Sequence, residues 1–287
     1  MPVAASVKKA ITVTAAAAPE RPLPLPPTFG PAGPAGDATT PRLADGKPDL
    51  TGNWAAGAMN WRYRFRRCGP SQQEGCTSSI NQTADFEFEA PSRFGPNRPL
   101  YKPEFWDKIQ QLDMWTNKED PVMTCQPLGI PRQGAPRRIV HTANDIIFFY
   151  GQYADGGGGQ GEYRIIPTDG RKHDPKKAVQ ATYYGYTVGR WEGDTLVLDS
   201  ISFVDTTWLA RGGFIHSSDM HVIEKFTRQG SQIKYEVSVG DPEFLVEPWV
   251  MTPRTMRLIP NAEAGLLPER GNCEVYEEGV ISSQIRH

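Results

Sequence analysis

The 287-residue chain predicts an all-β protein built on one antiparallel β-barrel, with one short helix and long loops. Three observations predict it. Residues 183–205, YYGYTVGRWEGDTLVLDSISFVD, set two apolar, β-branched and aromatic runs around the short polar break Glu192-Gly193-Asp194, the pattern of a β-hairpin. Similar runs recur from residue 144 to 259. Their regular spacing, with turn residues between them, suits a sandwich or a closed barrel.

The elements follow in order. Residues 1–45 hold nine of the 26 prolines and many alanines and glycines. Such a segment cannot bury a core, so it reads as a leader or extended arm. The barrel domain is expected over 46–287. Gly52-x-Trp54 stands at the entrance to a first strand. Residues 56–100 read as irregular strands and loops. A helix is expected over residues 103–115, because Pro103 suits a first helical position and Phe105, Ile109, Leu112 and Trp115 recur at helical spacing. That stripe reads as a lid packed on the β body. Strands then follow one another: RRIVHT and DIIFFYGQY, broken at Ala143-Asn144, then EYRIIPT after a Gly156–Gly159 loop. After the turn-rich TDGRKHDPKK comes the 183–205 hairpin. Residues 205–219, DTTWLARGGFIHSSD, read as a long loop. HVIEKFTR and QIKYEVSV pair across Gln229-Gly230-Ser231, and PWVMTPRTMRLI and CEVYEEG supply the last strands.

Composition narrows the function. A hydrophobic content of 38% is enough for a sizeable core, and no run approaches the ~20 apolar residues of a membrane helix. The net charge of −2 argues against strong phosphate binding, although residues 61–67, WRYRFRR, alternate basic and aromatic side chains. Neither nucleic acid nor membrane is an expected partner. Lys8-Lys9 and the AITVTAAAA stretch before Pro19 form a weak copy of an export signal, with a flexible arm as the alternative. Cys68 and Cys76 bracket a polar turn that a local disulfide could close, leaving Cys125 and Cys273 to tie the start of the β body to the C-terminal tail. A loop that long adds roughly 4–5 kcal/mol in the chain-entropy model. The even count and the export-like start favour an oxidising compartment, periplasmic or secreted; four reduced buried thiols are the other reading.

Gly52-x-Trp54 opening a β chain, together with the Trp191-Glu192-Gly193-Asp194 hairpin, resembles lipocalin-like calycin barrels. A second resemblance covers residues 42–275. RLADGKPDLTGNW, CQPLGIPR, TDGRKH, GYTVGRWEGDTLVLD, TTWLARGG with His216 beyond it, and DPEFLVEPW occur in the order seen in a large group of mostly exported bacterial β-rich proteins. In that group a Cys before PxGxPR and a Cys near the C-terminus recur, which implies the Cys125–Cys273 pairing. The group implies no particular activity. The long Pro-rich leader, the Cys68/Cys76 loop and the glycine run depart from its pattern.

Chemistry is sought among the histidines. His173 lies beside Asp169, Arg171 and Asp174; His216 lies beside Asp219 and His221. A carboxylate beside an imidazole fixes its tautomer and raises its basicity. The favoured constellation takes His216 as base, Asp219 as its orienting partner, Arg211 as electrostatic clamp and His173 as second acid/base, with Asp169 next to it. Arg171, Tyr184, Tyr186, Trp191 and Trp208 are the expected substrate contacts. The plainer reading is that these histidines are solvated or cap their loops, and that Asp169-Gly170 is a turn pair. His216, His221 and a carboxylate, Asp219 or Glu224, form a weaker metal alternative, because HxxxxH lacks helical spacing. On strand alternation Asp199 shares a face with Val197, Ile201 and Phe203, which makes it a buried acid, a cavity-lining acid or, more plainly, an acid bonded to a loop. No nucleophile elbow, Walker A or Rossmann fingerprint occurs, and no cofactor is expected. The expected function is acid/base chemistry of lyase, hydratase or isomerase type on a small, partly apolar or aromatic metabolite in a barrel pocket. The alternative is a non-catalytic exported small-molecule-binding protein. The arm is also a means by which copies of the chain could form a homo-oligomer.

Overall fold

The computed structural model describes residues 39–56, 99–114, 119–150, 162–210, 213–251 and 253–260. Its strands are β1 (Gly52–Ala56), β2 (Arg138–His141), β3 (Asp145–Phe149), β4 (Tyr163–Pro167), β5 (Tyr186–Glu192), β6 (Thr195–Ile201), β7 (Trp208–Ala210), β8 (Phe214–Ile215), β9 (His221–Gln229), β10 (Gln232–Gly240), β11 (Trp249–Val250) and β12 (Arg254–Ile259). Every ladder among them is antiparallel.

Ten strands form one sheet in the order β4-β3-β2-β1-β12-β10-β9-β6-β5, with β11 paired to β10 off this path. The two end strands come together. Gly170 N–H donates to the Gly189 carbonyl at 3.0 Å, and the Arg164 guanidinium of β4 reaches Thr187 Oγ1 of β5 at 2.8 Å. The sheet is thus a nearly closed barrel, as the hairpin series predicts. Gly189 permits this approach, since a Cβ there would lie 3.0 Å from the Pro167 carbonyl oxygen.

Alternation along the strands builds the interior. In β9 the buried positions are Val222, Glu224, Phe226 and Arg228; in β10 they include Ile233, Tyr235, Val237 and Val239. Trp54, Ile139, Phe148, Tyr150 and Leu198 fill the space between. Phe226 packs between Phe148 and Tyr235, at centroid separations of 5.0 and 4.7 Å. The two hairpin turns carry positive φ at Gly193 (59°) and Gly230 (56°), the first central position in each. Asp194 and Ser231 lack it, which is the type II′ pattern that suits strand twist.

The helix begins as predicted at Pro103, in a 3₁₀ turn (Pro103–Phe105) that runs into α1 (Trp106–Met114). Ile109 is buried, Phe105 and Leu112 pack on the core, and Phe105 meets the Phe244 ring edge-on at 4.4 Å. Two expectations need correction. Residues 205–219 are not merely a loop: β7 and β8 form a buried two-stranded ribbon, because Trp208, Leu209, Phe214 and Ile215 have apolar area to hide. The expected single strand through 248–259 is two, β11 and β12, separated around Pro253, which has no N–H to continue a ladder. Residues 1–38 of the leader, WRYRFRR, the Gly156–Gly159 run, CEVYEEG and Trp115 lie outside the described residues.

Candidate functional site

Positions 197, 199 and 201 of β6 face away from the barrel interior, as do 186, 188 and 190 of β5 and 221 and 223 of β9. The register sets Asp199 opposite Val188 on one side and Ile223 on the other. The connection after β4 folds across this outer wall and is tied to it by Ser202 Oγ–H donating to the Ala178 carbonyl (2.6 Å) and Thr182 N–H to the Ser202 carbonyl (3.0 Å). That connection carries His173 to Asp199.

The result is one carboxylate between two imidazoles. His173 Nε2 lies 2.9 Å and His221 Nε2 2.8 Å from the same oxygen, Asp199 Oδ1. Burial alone would raise the Asp199 carboxyl, but the hydrogen bonds from His173 and His221 override it and hold it well below the usual carboxylate range. Asp199 is therefore ionised at neutral pH and can only accept. Both Nε2 atoms must then carry a proton, so that a ring in its uncharged form has its lone pair on Nδ1. His221 is the more open, its side chain 38% exposed against 19% for His173. His173 Nδ1 is buried and has no hydrogen-bond partner. Tyr186 presents its ring edge to His173 at 5.0 Å, and its hydroxyl accepts the Asp174 N–H at 3.3 Å. Arg190 Nη1 stands 3.9 Å from Asp199 Oδ2.

The structure thus brings together three of the candidates, His173, His221 and Tyr186, with Asp199. It does not join His216 to Asp219. His216 is buried, its Nδ1–H donates to the Ser217 carbonyl at 2.8 Å, and its Nε2 accepts the Thr207 hydroxyl at 2.6 Å. Burial pushes this imidazole below its ordinary range. Asp219 is exposed, and Ser217 is instead anchored by Asp241, which accepts its N–H (2.6 Å) and hydroxyl (3.0 Å). The metal alternative of His216, His221 and Asp219 does not assemble, and among the described residues no group of three His, Cys, Asp or Glu could hold a metal ion. Asp169 and Arg171 pair with each other on the surface at 2.6 Å, which lowers the Asp169 carboxyl to about 2. Trp208 is buried with Arg132 over its ring at 6.0 Å. Tyr184 stacks on Tyr150 at 5.8 Å and donates to Gln133 Oε1 at 3.1 Å. Trp191 stacks on His141. Arg211, Cys68, Cys76 and Cys273 lie outside the described residues.

Sequence reasoning missed a polar centre inside the barrel. Arg164 Nη1 donates to Glu224 Oε2 (2.7 Å) and to Tyr150 Oη (3.1 Å). Arg164 Nη2 donates to Thr187 Oγ1 (2.8 Å) and Ser200 Oγ (3.2 Å), and Tyr235 donates to Glu224 Oε1 (2.9 Å). Burial drives the Tyr150 hydroxyl up to about 12. It opposes the Arg164 charge, but Glu224 and Tyr150 outweigh it and keep the guanidinium protonated. The available signal was alternation: Glu224 shares parity with Val222 and Phe226, and Arg164 with Ile166. No family model matches the chain, and neither a curated protein nor a solved structure matches it.

Proposed function

We propose that this protein is an acid/base enzyme of lyase, hydratase or isomerase type, acting on a small, partly apolar or aromatic molecule at the outer wall of the barrel. The observation that carries this reading is the single carboxylate oxygen held between His173 and His221. His221, the more open ring, exchanges a proton with the substrate through Nδ1. Asp199 holds both Nε2–H groups, sets the tautomer and stabilises the imidazolium that forms. His173 is the second acid/base group, reached when substrate displaces the contacts over its Nδ1. Ile201, Ile223 and the Tyr186 ring, each half-buried, share the wall with the pair and suit an apolar substrate face. Arg190, whose Nη2 donates to Glu192 Oε1 at 2.7 Å, stands beside it with Nη1 toward Asp199.

The same reading puts the protein in an oxidising compartment, periplasmic or secreted, with Cys125 paired to Cys273, in keeping with its likeness to exported bacterial β-rich proteins. It is supported by Cys125, the one cysteine among the described residues, which is not free.

Native mass spectrometry of protein from its own host identifies a retained small molecule, which is then offered as substrate. Product should form, and His221→Ala and Asp199→Asn should each lower kcat about 10²-fold or more, the scale of general acid/base catalysis. Saturable binding without product on prolonged incubation would make the protein a carrier. Turnover unchanged in the His173→Ala/His221→Ala double variant would end the acid/base reading.

A further inference from the structure

At one end of the barrel the β2–β3 turn, the β5–β6 hairpin and the β9–β10 hairpin come together around a ring pair that the outer wall does not use. His141 closes β2 and Trp191 lies near the end of β5, both on inward positions. Their rings are nearly parallel, 21° apart in plane with centroids at 5.6 Å. His141 is only 9% exposed. Its Nδ1 and the Trp191 Nε1 are both buried without a hydrogen-bond partner. Buried polar atoms are almost always paired, so two orphans in one stacked pair mark a place where the partner arrives from outside.

Residues 40–50 run across this end as a strap. Thr51 Oγ1 accepts the His141 N–H at 3.2 Å, and Asp45, Lys47 and Asp49 lie close enough to act on the imidazole charge. The strap is pinned at three points. Arg42 makes a bidentate pair with Asp194 (2.8 and 2.6 Å), Gly230 N–H donates to Thr40 Oγ1 (2.9 Å), and the Arg228 guanidinium donates to the Asp49 carbonyl. The Arg42–Asp194 pair is about half exposed, so it holds weakly and releases readily.

We propose that His141 and Trp191 form a binding site for a small, neutral, planar molecule bearing a hydroxyl group, covered by the 40–50 strap. A hydroxyl both donates and accepts, so it pairs with His141 Nδ1 in either tautomer and accepts the indole N–H. Planarity follows from the stacked rings. The two carboxylates, Asp45 and Asp49, against the single ammonium of Lys47 disfavour an anion, and burial of the ring pair disfavours any charge that is not itself paired. The site is separate from the His173–Asp199–His221 wall, so either proposal can fail without the other.

The test uses the full-length ¹⁵N-labelled chain with phenol as probe, toluene as the same ring without the hydroxyl, and benzoate as the charged counterpart. The Trp191 indole N–H resonance is assigned by its loss in Trp191→Phe. Phenol should move it saturably, and toluene and benzoate should bind more weakly. His141→Phe, which keeps a stacked ring, should weaken phenol about tenfold, the size of one hydrogen bond. Arg42→Ala, which removes one of the strap's three pins, should strengthen phenol binding. A Trp191 resonance unmoved by phenol in wild type and in Arg42→Ala alike overturns the proposal. Equal shifts with phenol and toluene in wild type also overturn it, and that comparison does not depend on any variant folding.

Discussion

Asp199 faces two imidazoles through one oxygen, and this has a consequence for acid stability. Its folded pKa lies below its unfolded value, so it contributes stability above roughly pH 4, the ordinary aspartate range, and that contribution is lost as pH falls through the folded value. In thermal melts between about pH 5 and pH 2, wild type should lose melting temperature faster than Asp199→Asn, and the gap between them should narrow steadily toward the acid end. A constant gap would show that the carboxylate charge does not supply the stability. Glu224 is different, because it is fully buried against Arg164. Replacing it by Gln leaves a buried guanidinium without its counter-charge, which costs about 3–5 kcal/mol. Urea unfolding should show that loss as a lower midpoint with little change in slope. A cost under about 1 kcal/mol would mean that Tyr150, Thr187 and Ser200 suffice to hold the cation.

At the scale of elements, two glycines of the central hairpin region separate strain from crowding. Gly193 has φ of 59° and open space around its missing Cβ. Gly185, just before β5, has φ of 71°, and a Cβ there would lie 2.6 Å from the Phe203 ring and 2.8 Å from the Ile201 carbonyl. Gly193→Ala should cost about 1–2 kcal/mol from left-handed strain alone. Gly185→Ala should cost clearly more, since a buried ring and a strand backbone must both move. Equal losses in denaturant titrations would mean that Phe203 yields freely. The element pattern was legible where alternation and turn residues agree: β5–β6 and β9–β10 were expected with nearly their observed limits. It failed at β7–β8, whose three- and two-residue strands are too short to show a period.

At the scale of the whole molecule, the barrel is weakest where it closes. β9 and β10 pair over their full length, from Gln229↔Gln232 to Gly240↔His221. The β4–β5 seam is held instead by the Gly170–Gly189 hydrogen bond and by the Arg164 side chain. Native-state hydrogen exchange should therefore find the slowest amides in β9 and β10, and Gly170 should open at lower free energy. Gly170 protected as strongly as the centre of β10 would mean that the seam opens only with global unfolding.

Local chemistry in the chain determined the strands, their turns and the inward–outward alternation, because each depends on residues a few positions apart. It also marked His173, His221 and Tyr186 as residues worth following. Only the tertiary structure decided their company. Asp199 meets His173 across 26 positions, Arg164 meets Glu224 across 60, and His141 meets Trp191 from another strand. Such meetings depend on strand order, register and the path of a connection over the wall, none of which leaves a periodic trace. His216 shows the same limit from the other side. Its neighbours in sequence suggested a catalytic dyad, but burial gave both of its ring nitrogens to Thr207 and Ser217.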